Sequence, residues 1–344
     1  MSDFTLGLGI LGGLILAGVV GWNAWTTRRL TPRQAQQPPE RIEPTGGATV
    51  PAEPVFDGHD LGPLPVASAE KKPGLDALID VLAPIAVEGP VSGEAAMAAL
   101  PATRRAGSKP FAVEGQNEAT GHWEPPQAGQ RYTAFQAGVQ LANRTGALNE
   151  IEFSEFVVKA QAFADAVNGA PEFPEMLHEV ARARELDQFA GGHDAQLGFT
   201  LRARQAAWSP GYVHQHAAQL GFVAGAIPGR MVLPASQQGL PPVLVLTFDA
   251  QAAMADDPGQ SAIREVTLAL DVPQVQRSEQ PFVRMREVAA ALAEGMDGVL
   301  TDDNAQPIQP QALDVIGADL EQLYDTLEAR DLAAGSPLAR RLFS

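Results

Sequence analysis

An uncharged apolar run at the start constrains this chain more than anything else in it. From Phe4 to Trp25 no residue is ionisable, and Leu, Ile, Val, Ala and Gly dominate. At about 1.5 Å rise per residue the run makes a helix about 33 Å long, enough for a hydrocarbon core of about 30 Å. Trp22 and Trp25 lie at one end, where amphipathic rings favour the membrane–water interface. Arg28, Arg29 and Arg33 follow, while Met1–Asp3 brings an acid and no basic side chain. Basic residues stay on the cytoplasmic side, so the N-terminus is expected outside and the bulk of the chain inside. A cleavable signal would carry its basic residues before a shorter run and a small-residue cleavage site after it; the order here is the reverse.

Gly9, Gly13, Ala17 and Gly21 recur every fourth residue of the run. On a helix they form a stripe of small side chains, which lets two backbones approach in lipid and is the expected surface for self-association. Glycine is also simply common in membrane helices. Residues 26–73 read as a flexible linker. The stretch is rich in Pro, Gly, Ala, Glu and Gln, has few large apolar residues, and lacks the apolar surface to offset its ordering entropy.

The chain as a whole is acidic. With 41 acidic against 24 basic residues the formal net charge is −17, which gives no electrostatic reason to seek nucleic acid. There is no cysteine, so disulfides, thiolate metal sites and a cysteine nucleophile are excluded.

The section from 193 to 330 is the most legible. Ala195–Arg204 alternates as a strand, and Ser209-Pro210 starts a helix to about Leu220, Ser as N-cap and Pro at the first helical position. Phe222–Leu233 reads as a strand interrupted by Gly and Pro. Val243–Phe248 and Ile263–Val272 read as strands, the latter alternating Val266, Leu268 and Leu270 with Thr267, Ala269 and Asp271. A helix from Phe282 to about Met296, a short strand near Val299–Thr301 and a helix from Gln309 to about Ala329 complete it, leaving 331–344 as a tail. The expected fold class is α+β: a split β-α-β type antiparallel sheet with helices on one face.

Leu268-Ala-Leu-Asp-Val-Pro273, Phe282-Val-Arg-Met285, Ala289–Ala293 and Met296-Asp-Gly-Val-Leu-Thr-Asp-Asp303 resemble the C-terminal half of the FtsZ-binding domain of the ZipA family. Leu220-Gly-Phe222 with Gly225 resembles that family's first helix-to-strand corner. The order of anchor, acidic Pro-rich linker and C-terminal domain matches as well. The resemblance implies a non-enzymatic division adaptor in the bacterial inner membrane that binds the FtsZ C-terminal tail on an exposed apolar sheet face. Carried over by position, that face draws on Leu197, Phe199, Ile227, Leu246, Phe248, Thr267 and Ala269. Ala269 stands where the family commonly has an aromatic ring. Alternation does not decide which parity faces out where both are apolar, as in Val243–Phe248.

Residues 74–192 read as a second α+β domain, either a divergent copy of the next or merely of the same class. Leu78–Val87, Pro110–Glu114 and Tyr132–Ala142 read as strands, the last with Thr133, Phe135, Ala137, Val139 and Leu141 on one face. Ser92–Leu100, Phe153–Asn168 and Phe173–Phe189 read as helices. Phe156-Val157 and Phe282-Val283 each lie in a helix that closes on a glycine, Gly169 and Gly298.

Catalytic chemistry is hard to find. His214 and His216 sit two apart on a helix and point to different faces, a poor chelating pair; His59, His122, His178 and His193 are scattered. Gly7-Leu-Gly9-Ile-Leu-Gly12 spells GxGxxG inside the membrane run with no strand before it, so it is no dinucleotide site. Asp256-Asp257 and Asp302-Asp303 suit turns better than acid–base work. No cofactor and no metal is expected. The readings that remain are the FtsZ adaptor, a membrane-anchored scaffold of the same fold with another protein partner, and, behind both, an envelope enzyme using an acid pair.

Overall fold

A computed structural model describes residues 32–35, 74–255, 261–302 and 305–344. The membrane run at 4–25, with Gly9, Gly13, Ala17 and Gly21, lies outside the described residues, as does the linker apart from 32–35. Among the described residues no helix is long and apolar enough to cross a membrane. They form two compact units: one of residues 74–195, 272–277 and 319–344, the other of 32–35, 196–271 and 278–318.

The first unit runs β1 (Asp80–Ser92), α1 (Gly93–Ala99), β2 (Arg105–Ala106), β3 (Lys109–Asn117), β4 (Trp123–Glu124) and β5 (Arg131–Gln140). The small hairpin β6 (Ala142–Asn143) and β7 (Gly146–Ala147) follows, then α2 (Glu150–Ala166), β8 (Gly169–Pro171) and α3 (Met176–His193). The sheet order is β2-β3-β5-β1-β8, with β4 beside β3 and every pair antiparallel. Asn149 and Glu152 cap α2 reciprocally: the Asn side chain accepts from the Glu152 backbone N–H and the Glu carboxylate from that of Asn149. Phe111 and Phe135 lie under this helix, 6.1 and 5.2 Å from the rings of Phe156 and Phe163. Thr133 departs from the expected face. Both neighbours of β5 skip it, pairing Ala134 and then Tyr132, so a bulge turns Tyr132 inward and leaves Thr133 exposed.

The second unit runs β9 (Gln196–Ala203), α4 (Pro210–Gln219), β10 (Val223–Ala224), β11 (Arg230–Leu233), β12 (Leu244–Thr247) and α5 (Ala250–Ala253). Then come β13 (Glu265–Asp271), α6 (Pro281–Gly295), β14 (Gly298–Thr301) and the first half of α7 (Pro310–Glu328). Its six strands are antiparallel in the order β10-β11-β12-β13-β9-β14. Ser209 caps α4 by accepting from the Tyr212 N–H at 3.2 Å, with Pro210 in the first turn. The segment 222–233 is a hairpin, not one interrupted strand: Val223 pairs with Val232 and Ala224 with Met231. The mixed helix and antiparallel sheet architecture is the α+β class expected from sequence.

The C-terminal residues are not a tail. They form α8 (Pro337–Leu342), which belongs to the first unit. Leu342 and Phe343 are buried, Arg341 pairs with the buried carboxylate of Asp80, and Gln140 donates to the Arg341 carbonyl at 2.8 Å. No nearby sequence signals that docking, since its partners include Gln274, 66 positions away, Gln140, 201 away, and Asp80, 261 away.

The two units share one plan: strand, helix, antiparallel meander, helix, closing strand, helix. In both, the first strand lies between the last strand of the meander and the closing strand. The helix before the closing strand ends alike in both, on a residue in the left-handed region, Asn168 (φ 53°) and Asp297 (φ 53°). Asn and Asp tolerate that conformation because their short side chains bond locally. Gly169 and Gly298 come next. A Cβ on either would lie 2.7 Å from Ile85 and 2.6 Å from Leu201, residues at the same register position of the two first strands.

Candidate functional site

The register of the second sheet sorts its residues into two faces. On one, Met231, Leu246, Leu268 and Phe199 run side by side across β11, β12, β13 and β9, and all are buried. The Phe199 ring meets Phe282 of α6 edge-on at 6.5 Å, so this face lies under the helices. The other face carries the smaller side chains of these strands. Its first row is Val223, Val232, Val245, Ala269 and Gly198. Beside it run Thr247, Thr267, Thr200 and Thr301, and beyond them the Arg202–Glu265 ion pair. Val223 and Gly198 are exposed, and Val232, Val245 and Ala269 half-buried, so the row reaches solvent along its length. A Cβ on Gly198 would meet nothing within 4 Å. The result is a shallow apolar strip of small and β-branched side chains flanked by half-buried Thr247, Thr267 and Thr200, while Thr301 at the edge is buried with its hydroxyl bonded to the Thr200 carbonyl. Such a strip can take apolar side chains of an extended or helical peptide.

The expected site residues divide along the same line. Thr267 and Ala269 are on the open face. Ile227 is 56% exposed in the turn of the β10–β11 hairpin. Leu197 shares the covered parity of Phe199, opposite buried Leu270. Phe199, Leu246 and Phe248 are corrections: all three are buried, and Phe248 lies 5.6 Å from the His214 ring of α4. The cause is size. The larger side chains of each strand fill the space beneath α4 and α6, leaving Val, Thr, Ala and Gly outside. Val223, Val232, Val245, Gly198 and Thr200 share that face with Thr267 and Ala269 and are not among the residues expected from sequence. The alternation of Val266, Leu268 and Leu270 against Thr267 and Ala269 was the signal for them, once β12 is paired to β13 in register.

The comparisons bear on this same sheet. The family model for the ZipA C-terminal FtsZ-binding domain matches residues 247–318. That match supports a ZipA family assignment. It covers the end of β12, α5, β13, α6, β14 and the first half of α7, a narrower span than the 195–330 of the resemblance. The ZipA match therefore includes Thr267 and Ala269 and the helix α6 that covers the opposite face, while β9, β10 and β11 complete the sheet from outside it. No curated protein matches the chain.

Of the groups weighed for catalysis, Asp256-Asp257 and Asp303 lie outside the described residues. Asp302 accepts the Gln306 N–H at 2.8 Å, a turn role. His214 and His216 diverge, one toward Phe248 and the other 4.4 Å from Tyr212. Burial lowers both imidazoles below their ordinary value, with Arg33 adding to the effect on His216. The neutral form is thus favoured on folding, and the unfolded chain binds more protons. This part of the stability is complete above the ordinary histidine value of about 6.5 and is lost as pH falls toward and through the depressed values. The thermal midpoint of the second unit should be lower at pH 5 than at pH 7.5, and His214→Gln should reduce that difference. An unchanged difference would mean that His214 does not contribute.

Proposed function

We propose that the protein is a non-enzymatic cell-division adaptor that receives the C-terminal tail of FtsZ on the open face of its second unit. The observation that carries this reading is the coincidence of the ZipA match with a sheet whose second face bears a half-buried apolar row, Val232, Val245 and Ala269. Small residues make the strip shallow, which favours a tail that presents bulky apolar side chains and covers several strands. Affinity then rests on a few such anchors. The test is a pull-down of the full chain with an FtsZ C-terminal peptide. Failure to retain the peptide at tens of micromolar would reject this reading in favour of a scaffold with another partner.

In this proposal the run 4–25 is a single-pass anchor in the bacterial inner membrane, with the N-terminus periplasmic and both units cytoplasmic, where FtsZ is. Arg28, Arg29 and Arg33 on only one flank support that orientation. A reporter fused after Ser344 should be active only in its cytoplasmic form, and a periplasmic signal would overturn both topology and partner. The stripe Gly9, Gly13, Ala17 and Gly21 is the proposed surface for self-association.

The first unit is proposed as a divergent copy that does not bind the same tail. Its equivalent face carries Glu114, Gln116 and Gln136, and the backbone of Leu75 lies over Glu114, donating to its carboxylate at 3.0 Å.

A further inference from the structure

We propose that residues 32–35 are a docked strap that holds the FtsZ-binding unit close to the bilayer, and not part of a free tether. The strap is seated by backbone and side chain together. The Arg33 N–H donates to the Ala207 carbonyl at 2.6 Å, and the Arg33 carbonyl accepts from the Ser209 N–H at 2.8 Å, pairing Arg33 in parallel with Trp208. Trp208 is fully buried, pairs on its other side with Ile263, and donates its indole N–H to the Met296 carbonyl at 2.8 Å. The Arg33 guanidinium reaches the turn that closes α6, with Nη2 2.7 Å from an Asp297 carboxylate oxygen. Pro32 is buried. Four residues thus make main-chain pairing, an ion pair and apolar burial against two separate parts of the unit. The ion pair is about a third exposed at both ends and contributes little by itself. The backbone pairing and the buried proline fix the position.

The consequence rests on the anchor reading above. Seven residue steps separate Trp25 from Pro32, at most about 25 Å of extended chain. If the chain were free as far as Gly74, a coil of nearly fifty residues would span about 40 Å on average and far more at full stretch. Docking therefore makes the height of the open face above the membrane a property of the fold.

The chain has no cysteine, which permits a clean test. The Ala35 Cβ lies 3.7 Å from the position a Cβ would take on Gly211, inside the range a disulfide requires. The double variant Ala35→Cys with Gly211→Cys, made in the full chain in nanodiscs, should close an intramolecular disulfide within minutes under mild oxidation. The control Ala48→Cys with Gly211→Cys should close at least tenfold more slowly. Equal rates would overturn the docking. Energy transfer from a dye on Gln238→Cys to a lipid-bound acceptor then reads the height. It should fall when Pro32-Arg33-Gln34-Ala35 is replaced by Gly-Ser-Gly-Ser, and unchanged transfer would overturn the proposed role. Neither readout needs FtsZ, so a failed pull-down with rapid cross-linking would refute the partner and leave the strap standing.

Discussion

Replacing Phe248 by Ala should strongly destabilise the second unit, not trim a groove on its surface. Phe248 is 9% exposed, and its ring packs at the end of β12 against His214 of α4. Emptying such a site removes the transfer free energy of the ring and leaves a cavity, together about 3–5 kcal/mol. Phe199→Ala should cost a similar amount, because its ring closes the contact between β9 and α6 at Phe282. Native domains are stable by only about 5–15 kcal/mol, so either change takes a large share of the total. Chemical denaturation of the full chain should show an early transition for both variants. A Phe248→Ala protein with an unshifted transition would put this ring on the surface after all, and the assignment of faces with it.

The elements were largely legible because their signals are local. Ser209-Pro210 marked the start of α4, and the helix expected from Phe282 to about Met296 is α6, whose buried stripe is Phe282, Met285, Val288, Ala289 and Leu292. The faces of the sheet were less so. In β12 both parities are apolar, and only pairing with β13, where Leu268 lies beside Leu246 and Ala269 beside Val245, decides which residues turn inward. That decision is tertiary. Large aromatic residues are the natural guess for a binding surface, yet in this unit Phe199 and Phe248 are the best filling for the space beneath the helices. The bulge at Thr133 and the docking of α8 were hidden for related reasons: one depends on the register of two neighbours, the other on partners distant in sequence. The same holds for Arg33, whose charge suggested topology while its hydrogen bonds to Ala207 and Ser209 could not be foreseen from composition.

Ala269→Glu should abolish tail binding at working concentrations while leaving the fold nearly intact. The residue lies on β13 in the middle of the apolar row, between Val245 and Gly198, half-buried on the face opposite Leu268 and Phe199. In the free protein a glutamate there extends into water, at a cost of about 1 kcal/mol or less for its weaker strand preference. In the complex the same carboxylate is trapped beneath apolar side chains without a partner. Burying it, or bending it away at the expense of contact, costs about 2–4 kcal/mol, roughly 30- to 1000-fold in affinity. The expected signature is a thermal midpoint within a few degrees of the parent together with lost binding, the opposite of Phe248→Ala.

The most direct measurement is a titration of a fluorescent FtsZ C-terminal peptide with the full chain in nanodiscs, followed by anisotropy, for three proteins. These are the parent, Ala269→Glu, and Ala86→Glu, which places the same charge on the corresponding face of the first unit. Saturable binding is expected for the parent and for Ala86→Glu, and binding weakened at least 30-fold for Ala269→Glu. No binding by the parent, or equal binding by all three, would contradict this expectation.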